Sequence, residues 1–115
     1  MVNDTPWIQG GLRVARSVIT AVEADALRGY EADEEACGYL TGPATDGLLC
    51  DVHVRLENVA NLLHAMDPET YFRTARMYFA FNEAKFDRAV REGEAAGRPV
   101  KVIYHSHLDA GAYFS

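Results

Sequence analysis

The sequence predicts an α/β (α+β) domain in which helices flank a small mixed β-sheet, and three observations carry that expectation. Leu48 to Leu56 alternates, with Cys50, Val52, Val54 and Leu56 on one side and Asp51, His53 and Arg55 on the other. That is the period of a half-buried strand. Val22, Ala26, Leu27 and Tyr30 recur instead at helical spacing. Val100-Lys-Val-Ile-Tyr-His105 is a short apolar run entered through Gly97 and Pro99, which stop a preceding helix. At 115 residues, 49% hydrophobic and 24% charged, the composition is that of an ordinary globular chain. It excludes a disordered tail, a collagen-like chain and a disulfide-stapled miniprotein, and the length fits a single domain, residues 1–115.

Taken in chain order, residues 1–10 read as a loose arm and Leu12–Ile19 as an edge strand. Thr20-Ala-Val-Glu23 fits a capping box that opens a helix from Ala21 to about Glu31. Glu35–Thr41 follows as a strand closed by Gly42-Pro43, and a loop to Gly47 leads into the alternating strand. Asn58–Met66 reads as a connector. Asp67-Pro68-Glu69 has the signature of a helix start: a capping Asp, Pro at the first helical position and an acid in the first turn. The helix so begun extends to about Ala96, with Phe72, Ala75, Phe79, Phe86 and Val90 as its buried stripe and a break allowed at Tyr78-Phe79-Ala80-Phe81.

Charge and cysteine content narrow the function classes. Eleven Lys and Arg against 17 Asp and Glu give a formal charge of -6, with no basic run to hold a phosphate backbone, so nucleic acid is not an expected partner. No apolar run reaches the roughly 18 residues of a membrane span, and the N-terminus has no secretory pattern, so a cytoplasmic chain is expected. Cys37 and Cys50 are too few for a disulfide framework and read as buried, unbridged thiols.

The chemistry gathers at the end of the last strand. In His105-Ser106-His107 the two imidazoles stand two apart on an extended backbone and so point to one side. Neutral imidazole is a good zinc ligand, and two from one stiff element cost little entropy to organise. Seven residues, 108–114, separate His107 from Ser115, and Glu35-Ala36-Cys37-Gly38 lies upstream on another predicted strand. With these pieces the sequence resembles the JAMM (MPN+) zinc metalloprotease family over roughly residues 12–115. Its pattern is a strand Glu, then His-X-His, seven residues, Ser, two residues and Asp. Leu108 stands where the family usually has Pro, and the Asp would lie three residues beyond Ser115.

The resemblance implies a cytidine-deaminase-like MPN/JAMM fold and a domain incomplete at its C-terminus. It further implies a Zn²⁺ held by His105 and His107, Glu35 as general base, and Ser115 as donor to the developing oxyanion. By the same resemblance the substrate is the C-terminal tail of a ubiquitin-like or sulfur-carrier protein. Without the Asp, this chain is expected to be a weak enzyme, and an incomplete domain is expected to expose an apolar patch that favours a homo-oligomer. The alternative is a non-catalytic MPN-like scaffold that binds partners and needs no metal. On residue type alone, Glu35 would be a solvated member of the acidic run Asp33-Glu34-Glu35, and His53 and His64 are expected at the surface. Asp109 raises the metallo-β-lactamase motif His-X-His-X-Asp, but the His that motif needs next is Ala110.

Overall fold

The computed structural model describes residues 2–3 and 12–108, and there the mixed α/β class holds. The elements are β1 (Val2–Asn3), β2 (Arg13–Ala15), α1 (Arg16–Ala32), β3 (Cys37–Thr41), β4 (Leu49–Cys50), β5 (Val52–Leu56), α2 (Ala60–Met66), α3 (Glu83–Ala95) and β6 (Val100–His105). Two three-stranded sheets replace the single one expected. In the first, β2 pairs antiparallel with β1 and parallel with β4. The second has the order β5-β3-β6 and is antiparallel throughout. The alternating segment 48–56 thus breaks at Asp51, whose N–H donates to Thr41 O. Val2–Asn3 form a strand where a loose arm was expected, and the rest of that arm lies outside the described residues, as do Asp109, Ala110 and Ser115.

Helix α1 begins one turn before the capping box and draws no side-chain hydrogen bond from its N-cap, Ala15. Burial decides its course: Val18 and Val22, one turn apart, join Val14 of β2 with Leu40, Cys50 and Tyr104 in one core cluster. Ala26 and Gly29 continue that stripe, which leaves Leu27 and Tyr30, both expected inside, 60% exposed. The helix ends on Asp33 in the left-handed region (φ 61°, ψ 40°). There Glu34 N donates to Gly29 O and Asp33 N to Tyr30 O, the paired bonds of a Schellman motif.

The expected long helix from Asp67 does not form. Asp67 instead closes α2, with its side chain accepting from Thr70 N, and the next helix starts at Asn82, whose Oδ1 accepts from Lys85 N. Between them the backbone bonds elsewhere. Asn61 Oδ1 takes Ala75 N, Asn58 Oδ1 takes Ala80 N, and Ala75 O and Ala80 O accept from Glu35 N and Val59 N. Those tertiary bonds consume the groups a helical ladder needs. Phe72, assigned to a buried stripe, is 71% exposed, and α3 buries none of its residues fully.

Sheet β5-β3-β6 has two unlike faces. Leu40 and Tyr104 face α1, where Tyr104 Oη donates to the buried Asp25 at 2.6 Å and lies 2.6 Å from His53 Nε2. Arg28 and Arg55 pair with the same Asp25. His53 and Arg55 therefore share a face as the alternation implied, but His53 is half-buried in this network and not at the surface. On the other face Tyr39 meets Phe86 edge-on at 5.5 Å between ring centres. Cys37 and Cys50 are buried free thiols, as expected. Gly38 lies where Tyr104 crosses the sheet. A Cβ there would come within 2.5 Å of Val54 O and 2.6 Å of the Tyr104 ring and hydroxyl.

Two outcomes follow from this packing. Gly38→Ala destabilises the fold by about 2 kcal/mol or more through overpacking, read as a lower urea midpoint. Burial pushes the His53 imidazole below its ordinary value, against an opposing pull from Asp25. The unfolded chain then takes up a proton near pH 6.5 that the folded chain resists, so stability is complete above that pH and declines below it. Urea midpoints between pH 7.5 and 5 should show this decline, with a shallower slope in His53→Gln.

Candidate metal centre

The register of β3 on β6 builds the site. Cys37 pairs with His105, so the residues preceding one strand lie opposite those following the other. Ser106 N donates to Ala36 O and Ala36 N to Ser106 Oγ, both at 2.9 Å, which carries the pairing one residue past the ladder. Alternation then turns Ser106 inward, where it is buried, and sends His105, His107 and Glu35 to a common side.

Those three side chains converge. Glu35 Oε1 lies 3.5 Å from His105 Nδ1 and Oε2 lies 4.0 Å from His107 Nδ1. The two imidazoles stand 4.6 Å apart at 61°, and one ligand atom from each residue falls within 4.8 Å of the others. Glu35 is only 5% exposed, while both histidines are half-buried and open to solvent. Two nitrogens and a carboxylate at one point match the donor chemistry of a zinc site, and the three could hold a metal ion. The solvated-junction reading of Glu35 is overturned by its burial; Ser115 lies outside the described residues.

Glu35 is held from behind. Its N–H donates to Ala75 O at 2.6 Å, and its carbonyl accepts from Asn58 Nδ2 at 2.8 Å. Asn58 also donates to Tyr78 O at 3.0 Å and accepts from Ala60 N and Ala80 N. One side chain thereby fixes the Glu35 backbone, the start of α2 and the 78–80 segment. Phe79 in that segment stacks on His105, with ring centres 4.3 Å apart and planes at 19°. In the sequence Asn58 is only polar punctuation in a connector, and Phe79 falls on the apolar stripe expected of a helix. Only the parity of Ser106 between two histidines signalled an inward partner.

Beside the site, a cleft of about 660 Å³ is lined by Leu62, Leu63, Tyr71, Tyr78, Phe79 and Phe81, among others. His64 Nδ1 lies 2.7 Å from Tyr71 O and joins neither the cleft wall nor the donor set. The Cys37 thiol, two residues from Glu35, is pushed up to about 12, chiefly by burial, and so is no nucleophile at neutral pH.

The family model Prok-JAB, described as prokaryotic homologs of the JAB domain, matches residues 15–115. Neither a curated protein nor a solved structure matches the chain. Among the described residues no helix is long and apolar enough to cross a membrane.

The donor set makes a direct prediction. His105→Ala and His107→Ala should each weaken zinc binding by more than the about 10–100-fold that losing an outer partner of a ligand costs. Competition against a chromophoric chelator measures this, and wild-type affinity in either variant removes that histidine from the site.

Proposed function

The chain belongs to the family of prokaryotic homologs of the JAB domain, and from that premise we propose that it is a zinc-dependent metallopeptidase of the isopeptidase kind. Its substrate in this reading is the C-terminal tail of a ubiquitin-like or sulfur-carrier protein. The observation that carries the reading is the convergence of Glu35, His105 and His107 at one end of a single strand pair.

His105 and His107 would hold the metal; the family pattern adds, as a third ligand, an Asp three positions past the Ser that Ser115 matches. A Zn²⁺ bound there supplies Lewis acidity, acidifying a water and polarising the scissile carbonyl. Glu35 takes the proton from the attacking water on its carboxylate and delivers it to the leaving amine. Its burial beside two imidazoles keeps it in reach of both transfers. The Ser115 hydroxyl donates to the oxyanion. An extended Gly-rich tail can add along β6, an outer strand in the order β5-β3-β6 that carries His105 at its end. The reading places the protein in the cytoplasm and assigns it no nucleic-acid partner.

A scaffold that binds partners without catalysis is the second reading. It is favoured by the exposure of the large apolar side chains Leu62, Met66, Phe72 and Met77.

Glu35→Gln separates these readings. In zinc-loaded protein, with and without an Asp three residues after Ser115, the variant should lose about 100-fold or more of the cleavage of a Gly-Gly-tailed carrier. Zinc should stay bound. Unchanged cleavage overturns the base role, loss of zinc makes Glu35 a ligand, and no cleavage by any form leaves the scaffold.

A further inference from the structure

The 71–82 segment is neither helix nor strand, yet it is tied at defined points: Asn61 to Ala75, Asn58 to Tyr78 and Ala80, and Val59 to Ala80. The residue this arrangement presents is Phe79. Its ring lies nearly parallel on His105 and also forms part of the wall of the 660 Å³ cleft. An imidazole at a strand end has two soft side-chain torsions, and a metal accepts its nitrogen in only one orientation. On its strand His105 is flanked by Tyr104, which faces away, and by His107 beyond Ser106. Among the described residues, the aromatic plane stacked on the His105 ring comes from Phe79, 26 residues away in sequence and delivered by the Asn58 clamp.

We propose that Phe79 is a positioning residue of the metal centre: held by Asn58, its ring fixes the plane in which His105 presents its nitrogen. The proposal rests on His105 being a metal ligand, but not on any substrate. The 78–80 segment then serves the site directly: the Asn58 bonds that keep it out of a helix also orient one ligand.

The test compares Phe79→Leu, which keeps apolar bulk and removes the plane, with Phe79→Tyr, which keeps the plane. Two quantities are read on the metal-free protein and on zinc titration: the His105 ring-proton resonances, and zinc affinity. In Phe79→Leu the His105 resonances should move downfield as the ring current is lost, and zinc affinity should fall about tenfold. In Phe79→Tyr both should stay near wild type. His64, bonded to Tyr71 in the same segment, reports whether that segment is intact. Wild-type zinc affinity in Phe79→Leu overturns the proposal. So does an equal loss in both variants, or a loss in which His64 shifts along with His105. If the wild type cleaves no carrier, both readouts remain, so only the peptidase reading falls.

Discussion

Everything at the site depends on one strand pairing, β3 against β6, with Cys37 opposite His105. The ladder itself ends there, but the reciprocal bonds between Ser106 and Ala36 carry its register one residue further. That short extension puts a buried carboxylate opposite two imidazoles. Neither strand holds the site alone: the end of β6 and the two residues after it offer two imidazoles with no carboxylate, and the segment before β3 offers a carboxylate with no histidine. Because the side-chain period in a strand is two, a slip of one residue would turn Glu35 to the other face and leave the histidines without it.

The two faces of that sheet divide the work between them. Toward α1, Asp25 gathers Tyr104, Arg28 and Arg55, and Tyr104 in turn meets His53. A buried carboxylate is tolerated there because its acceptor sites are filled by charged and hydroxyl donors. This network pins β5 and β6 to the helix and so fixes the strands from behind. Tyr104 and His105 are consecutive, one anchoring to the helix and the other facing the donor set. Gly38 lets the Tyr104 ring cross β3 closely enough to reach Asp25.

Much of this was legible in the sequence, and the divisions are physical. The His105-Ser106-His107 spacing reads directly, because period two is a local property. The burial of both cysteines and the class of fold were equally plain. The helix boundaries were not. Thr20 and Glu23 have the residues of a capping box, but burial of Val18, one turn before Val22, draws the helix back to Arg16. Asp67-Pro68-Glu69 has every feature of a helix start, and loses to hydrogen bonds from Asn58 and Asn61, residues six to nine positions earlier. Those asparagines carry no local signature. Their role depends on what stands across from them in space, which one sequence does not display. The inward turn of His53 is hidden for a related reason: the alternation tells which face it shares with Arg55, but not that this face is covered by α1.

The far end of the same ladder is built differently. Between Leu40 and Thr41 the β3–β6 pairing shifts, admitting Lys101 as an extra residue, and its ammonium donates to the carbonyls of Pro43, Asp46 and Leu49. One long side chain thereby ties the 42–49 segment to β6 at three points. The Ala36–Ser106 end is held instead by two direct bonds between the residues that adjoin the two strands. One end of the ladder is therefore held through a long side chain, and the other, where the donor set lies, through the backbone and one short hydroxyl.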